Sequence, residues 1–281
     1  MKSVLVMLLL TMLFLSGCTK TVPEETAKTD NAGQISVLSA GLNANQKRRA
    51  EQLISLFENG TLVLQYGYAE RLHDGRGITC GRAGFTTGTG DAYEVVKLYT
   101  DEVPGNKLAK YLPELKRLLT ARNKDDVSRL SGFIRDWSSL GNNAVFRSVQ
   151  DRVVDDMYYK PSERYSNNLN LATPLARAVI YDTIIQHGDG DDPDGLRSLI
   201  NRTNQAMGGS PKQGIDEKKW LAKFLDVRRA DLQHPADRSS QDVWAQSVGR
   251  VDVFKYIAAK GNYRLDGPIR IRTRDYNVTI P

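Results

Sequence analysis

The chain has 281 residues, of which 40% are hydrophobic and 26% charged, and it carries a net charge of +6. That composition supplies core for one domain or two lobes and excludes a largely disordered body. The basic balance suits an anionic envelope surface, but basic and aromatic residues are not interleaved, so no nucleic-acid partner is expected.

The first residues read as a leader. Lys2 gives one positive charge, and residues 4–15 are apolar except for Thr11. Twelve residues are too few to span a bilayer comfortably but suit the core of a signal peptide. The run ends in Leu15-Ser16-Gly17-Cys18, which resembles the bacterial lipobox, where the thiol takes a diacylglycerol and the chain is cut just before it. An ordinary secretory signal with an incidental cysteine is the alternative. The expected organisation is a signal peptide at 1–17, a lipid-anchored flexible tether at 18–43, and a folded domain at 44–281. With Cys18 acylated, Cys80 has no disulfide partner. It reads as a small buried residue, because nothing places a general base beside it.

Residues 45–58 predict a helix, with Ala50, Leu53, Ile54 and Phe57 at helical spacing and Asn59-Gly60 as its stop. Glu58 falls in the last turn. A carboxylate is unfavourable there, which describes either a tolerated surface glutamate or a general acid. Residues 62–68 have the composition of a strand. Asp74-Gly75-Arg76-Gly77 reads as a turn, with a return strand from Ile78 and Thr79. Asp in such a turn is common for conformational reasons alone. The Gly/Thr-rich stretch 85–90 lacks the Gly-Lys-Ser/Thr ending of a phosphate loop. It leads to Asp91, which with Glu94 predicts a capping box.

The remainder reads as mainly helical. Residues 108–119 carry leucines at helical spacing, with Pro113 either bending that helix or starting a new one. Leu130, Phe133, Ile134 and Trp137 predict one buried face over 127–137, and Phe146, Val149, Val153 and Met157 predict another. Residues 166–170 read as a loop. Thr173-Pro174 predicts a helix start, with the helix running to about His187. Asp182 falls on its apolar face and needs a cation. The helix predicted over 216–232 offers one, since Arg228 continues the stripe of Trp220, Leu221, Phe224 and Leu225. An internal Asp182–Arg228 pair is therefore expected. The acidic stretch 187–195 lacks an EF-hand pattern and reads as a solvated turn, or else as an electronegative wall for a cationic ligand. Residues 240–260 predict one more helix, and 268–280 a short terminal strand.

No HExxH, Cys/His cluster or nucleophile elbow is present, so neither a metal nor another cofactor is expected. Paired carboxylates remain. Glycoside hydrolysis needs one carboxyl to protonate the leaving oxygen and a second to activate water or attack the sugar. Glu58 and Asp74 are the candidates, and spacing in sequence leaves inversion and retention both open.

The run from Arg48 to Asp91 strongly resembles the chitosanases of glycoside hydrolase family 46, above all the secreted Bacillus-type members. The resemblance continues through K-L-A-K-Y-L-P-E-L (107–115), Y-D-T-I-I-Q-H-G-D-G-D-D-P (181–193) and D-E-K-K-W-L-A-K-F-L-D-V-R (216–228). It implies a mainly α, lysozyme-like α+β fold of two lobes with a small β-sheet, a long bent helix and a cleft between the lobes. It also implies endo-acting, inverting hydrolysis of β-1,4 links in chitosan. By resemblance Glu58 is the general acid and Asp74 the general base, with Thr79 holding the attacking water. Asp91 binds a glucosamine amine, Arg76 and Tyr68 line the cleft and His187 lies near it, all four as substrate-binding residues. Asp182 and Arg228 form a buried charge network behind the acid. The implied partners are chitosan and its oligosaccharides, with a monomeric enzyme held to the membrane by its lipid. The lipobox departs from the ordinary signals of those relatives. Two rival readings are a lysozyme-like peptidoglycan hydrolase and a non-catalytic lipoprotein that binds amino sugars.

Overall fold

The computed structural model describes residues 41–238 and 241–281. The expected leader, Cys18 and the tether as far as residue 40 lie outside the described residues. The fold is helix-rich with two small sheets. Asn43 starts α1 (Ala44–Asn59) with a capping box, accepting from the Gln46 backbone N–H while the Gln46 side chain accepts from its own. Gly60, at φ +66°, ends the helix by donating to the Leu56 carbonyl, a conformation that costs glycine least.

The first sheet is antiparallel and three-stranded, with β1 (Ala69–Arg71), β2 (Ile78–Cys80) and β3 (Phe85–Thr86) in that order. Its register sets Thr79 opposite Glu70 on one side and Thr86 on the other. The strand expected at 62–68 is irregular instead. Side chains and local turns take its backbone groups: Ser55 donates to the Val63 carbonyl, the Trp137 indole and Gln150 amide both donate to that of Tyr66, and the Tyr66 and Tyr68 N–H groups donate to the carbonyls of Leu64 and Gln65.

Around this sheet pack α2 (Asp91–Glu102), α3 (Leu112–Leu118), α4 (Phe133–Ser138) and α5 (Ala144–Val154). Pro113 starts a new helix, in its first turn, as one of the two readings had it. The helix expected over 127–137 is confined to α4, because Gly132 turns the chain at φ +84° just before it. Leu130, Phe133 and Trp137 are buried, whereas Ile134 is exposed.

From α5 the chain passes through one π-helical turn, Asp155–Tyr159, into α6 (Lys160–Asn168). The three form a long interrupted helix, and the loop expected from 166 begins only after Asn168. Pro161 sits in the first turn of α6. It lacks an N–H, so the α-helical ladder is broken where the π turn lies.

The second lobe holds α6, α7 (Pro174–His187), α8 (Leu196–Met207), α9 (Glu217–Gln233), α10 (Gln241–Ala245), α11 (Val248–Ala259) and the hairpin of β4 (Ile269–Arg272) and β5 (Asn277–Ile280). Helix α1 belongs here too, packing on α7 and β5 although it precedes the first sheet in sequence. Thr173 caps α7 as expected, and Asp216, expected as the first residue of the next helix, instead caps α9. Helix α7 is buried along nearly its whole length and forms the centre of the lobe. The single helix expected over 240–260 is two, broken at Ser247, whose hydroxyl accepts from the Gln186 amide and donates to the Trp244 carbonyl. The expected terminal strand is a hairpin, with Ile269 and Ile271 facing inward and Arg270 and Arg272 outward.

Candidate active site

Glu58 projects from the last turn of α1, with its side chain about one quarter exposed (24%). Arg250 of α11 lies 2.8 Å from its Oε1 and, through the same Nη2, 2.8 Å from Oδ1 of Asp182. Asp182 of α7 is fully buried, and its Oδ2 lies 2.7 Å from Nη1 of Arg228 on α9. The expected Asp182–Arg228 pair is thus present, and it is the far end of a network that reaches Glu58 through Arg250. Burial opposes charge on all three inner groups. The two arginines outweigh it at Asp182, whose carboxyl stays below its usual range. Asp182 and Glu58 outweigh it at Arg250, whose pKa rises. Burial and the neighbouring Arg250 prevail at Arg228, which is pulled down to about 10.

Arg228 also donates to the Gln186 side chain and, from Nε, to Nε2 of His187 at 3.2 Å. An accepting Nε2 fixes the imidazole as neutral, so Nδ1 carries the proton and donates to the Asp194 carbonyl at 2.8 Å. Burial and Arg228 together hold the His187 pKa well below its ordinary value. The ring also packs edge-on against Trp244 and has no exposed surface. His187, expected near the cleft as a substrate-binding residue, has its ring wholly covered: the aromatic and guanidinium groups that cover it come from α10 and α9.

Asp74 sits in the turn between β1 and β2, its side chain 13% exposed. Its Oδ1 accepts from the Arg76 backbone N–H at 3.0 Å, and Oδ2 accepts from Nε and Nη2 of Arg76 at 3.2 and 3.0 Å. Arg76 thus holds Asp74 from both main chain and side chain. Glycine is required at 77, where φ is +83° and a Cβ would stand 2.2 Å from the Thr87 hydroxyl. Asp125 secures the turn from outside, accepting from the Gly77 N–H and pairing with Arg71.

Thr79 lies in the middle of β2, and its buried hydroxyl has no hydrogen-bond partner among the described residues. Leaving a buried hydroxyl unsatisfied costs about 1–3 kcal/mol, and this one keeps its full capacity to donate and accept. Cys80 is wholly buried, and burial raises its thiol pKa, as expected of an inert core residue.

Asp91 is not a cap. Gly90, at φ +104°, occupies that place, no side chain caps the helix, and Asp91 is the first helical residue. The expected box with Glu94 is absent because the Asp91 carboxylate faces backwards. Its Oδ1 accepts from the Thr86 N–H at 2.8 Å, the Thr89 hydroxyl at 2.6 Å and the Ala92 N–H at 3.0 Å. Burial raises its pKa against these three bonds. Tyr68 donates to Glu70 at 3.0 Å.

Two residues were missed. Arg250 lies four before Phe254 and seven before Ile257, so its place on the buried face of α11 was legible, but an arginine there reads as surface. Tyr158 stands on the π turn. Burial, then Asp91, then Glu58 raise its hydroxyl pKa, and Arg76 opposes them. One phenol therefore senses charges carried by both lobes.

The model of "Glycosyl hydrolase family 46" matches residues 52–269. This chain belongs to that family. A relative, the chitosanase of Bacillus subtilis (strain 168), is 62% identical over 240 residues, which is 85% of this chain and 86% of the relative. Among solved structures, a mutant chitosanase from Bacillus subtilis MY002 complexed with 6 GlcN is 61% identical, with a TM-score of 0.76, covering 86% of this chain and all of that one. The chitosanase of Gynuella sunshinyii in complex with chitotetraose is 45% identical, with a TM-score of 0.75, covering 85% and 99%. The family 46 fold accounts for the helix-rich lobes and small sheet described above.

Proposed function

We propose that the protein hydrolyses β-1,4 links between glucosamine units of chitosan, cutting within the polymer and inverting the anomeric centre. The observation that carries this reading is the division of two oriented carboxylates between the lobes. Glu58 is backed by Arg250 on one lobe, and Asp74 is fixed by Arg76 on the other. Membership of family 46 and the sugar complexes of its relatives support it.

In this mechanism Glu58 gives its proton to the glycosidic oxygen, and Arg250 stabilises the carboxylate left behind. Asp74 takes a proton from water as the water attacks the anomeric carbon from the opposite face. The buried, unpartnered Thr79 hydroxyl holds that water. Inversion requires carboxyls about 6.5–9.5 Å apart, enough for one water between them. Asp91 supplies negative charge for a glucosamine ammonium on a protein whose net charge is positive, so the local field decides. Asp189 and Asp191 contribute less, since both pair with Arg197. Tyr68 and Arg76 line the cleft. His187 acts through Arg228.

Asp91→Asn keeps the shape but not the charge. It raises KM for fully deacetylated chitosan by about tenfold, the worth of one charge-assisted hydrogen bond, and leaves kcat within a factor of about three. An unchanged KM removes Asp91 from amine binding.

The reading includes residues 44–281 as a monomeric catalytic domain, with a lipid on Cys18 holding it at the outer face of the cell membrane. Cleavage within 19–43 releases it. Cys18→Ser shifts activity from the membrane fraction to the medium; an unchanged partition removes the anchor. The substrate is tested by incubating the domain with chitosan and with purified peptidoglycan side by side. New reducing ends from chitosan alone are expected. Release from peptidoglycan alone overturns the assignment, and binding of glucosamine oligomers without turnover favours a non-catalytic protein.

A further inference from the structure

The two lobes carry different halves of the proposed chemistry: α1 brings Glu58, and the first sheet brings Asp74 and Thr79. Something must fix how far apart they stand. Arg82 lies in the turn just past β2, and its side chain is only 4% exposed. Its Nη2 is 3.0 Å from Oε1 of Glu51 on α1, and its Nη1 is 2.6 Å from Oδ1 of Asp151 on α5. Its backbone N–H donates to the Gln150 side chain at 3.0 Å. The Tyr66 ring packs against the guanidinium, and the Tyr66 hydroxyl donates to Asp151 at 2.8 Å. One planar cation thus joins three elements, and of its two carboxylates only Glu51 belongs to the opposite lobe.

The placement matters more than the pairing. Glu51 precedes Glu58 by two helical turns, about 10 Å along α1. Arg82 follows Thr79 by three residues, a span of at most about 10 Å. The joint therefore sits about equally far behind the acid and behind the water-holding threonine. It is also shielded from solvent, with the Glu51 side chain 12% exposed, so water screens it little. Lys47 reinforces the same seam, lying 3.7 Å from Glu51 and 2.6 Å from Asp155 on the π turn.

We propose that the Arg82–Glu51 pair is a clamp across the floor of the cleft that sets the separation of Glu58 from Asp74 and Thr79, which makes both members positioning residues for hydrolysis. The inference rests on the proposed function, because it concerns the spacing of that acid and base. An inverting site leaves room for one water, and a misplacement of about 1 Å can cost about 100-fold in rate. Neither Arg82 nor Glu51 needs to touch the sugar. Arginine is demanded over lysine because a fork reaches two carboxylates on two elements, whereas an ammonium is a single point charge.

Asp151 supplies the control. Glu51→Gln and Asp151→Asn each remove one carboxylate from Arg82, but only the first opens the joint between lobes. The parent enzyme is assayed first on chitosan; absence of turnover there is a failure of the functional reading and not of the clamp. With an active parent, Glu51→Gln lowers kcat by about 10- to 100-fold and leaves KM within about threefold. Asp151→Asn lowers the unfolding midpoint by a comparable amount yet keeps kcat within about twofold of the parent. Arg82→Lys, which retains the charge, loses kcat in the manner of Glu51→Gln, and it decides the matter if that variant fails to fold. Glu51→Asp, shorter by one methylene, recovers part of the rate. Parent-like kcat in both Glu51→Gln and Arg82→Lys overturns the clamp. So does an equal loss of kcat in Asp151→Asn, which would make the effect one of stability alone.

Discussion

Glu58→Gln lowers chitosan cleavage by about 1,000-fold, within the range of about 10²–10⁴ that a positioned general acid or base supplies. The amide matches the carboxyl in size and still offers an oxygen to Arg250, 2.8 Å from the native Oε1. Helix α1 therefore keeps its place, and circular dichroism and the urea midpoint stay close to those of the parent. What is lost is the proton for the departing sugar oxygen. Asp74→Asn gives a loss of similar size for a different reason: the side chain still accepts from the Arg76 N–H but no longer draws a proton from water. Initial rates of reducing-end release on deacetylated chitosan check both. Turnover above a tenth of the parent rate in Glu58→Gln ends its assignment as the acid.

Asp182→Asn is expected to cost about 3–5 kcal/mol of stability, the range for removing one partner from a buried ion pair. Asp182 is the only carboxylate within ion-pair distance of Arg228 among the described residues, and one of two beside Arg250. Burial and Arg250 already pull Arg228 down to about 10. An amide at 182 leaves two guanidiniums side by side in the interior with only Glu58, beside Arg250, to compensate them. Arg250 then turns more fully toward Glu58, so activity falls together with stability. Urea unfolding at neutral pH measures the first effect, and a loss under 1 kcal/mol would show that Gln186 and His187 alone can carry Arg228.

The parts of the fold legible in the sequence were those whose causes are local. Helices α1, α7 and α9 each have a start or stop residue and an apolar stripe, and the structure places them within a residue or two of expectation. Asp182 and Arg228 were legible as partners because each interrupts an apolar stripe, and interior charges must pair. The failures have distant causes. Residues 62–68 have strand composition, but Trp137 and Gln150, far along the chain, capture the Tyr66 carbonyl that a neighbouring strand would need. The break at Ser247 depends on Gln186 of another helix. Resemblance placed His187 near the cleft, but its cover by Trp244 and Arg228 belongs to tertiary packing. Arg250 was missed for a related reason: an arginine on an apolar stripe counts as core only when its counter-charges are known, and one of them sits at the opposite end of the sequence.

That last distance bears on the order in which the network around Glu58 comes together. Glu58 emerges early in synthesis, whereas the cation that completes it lies on α11, close to the end of the chain. Helix α7, buried along nearly its whole length, cannot settle until α9 and α11 arrive to cover it. A nascent or prematurely ended chain that stops before residue 250 therefore holds a glutamate with no arginine behind it. The charge network that reaches Glu58 is therefore closed only when α11 packs against α1 and α7.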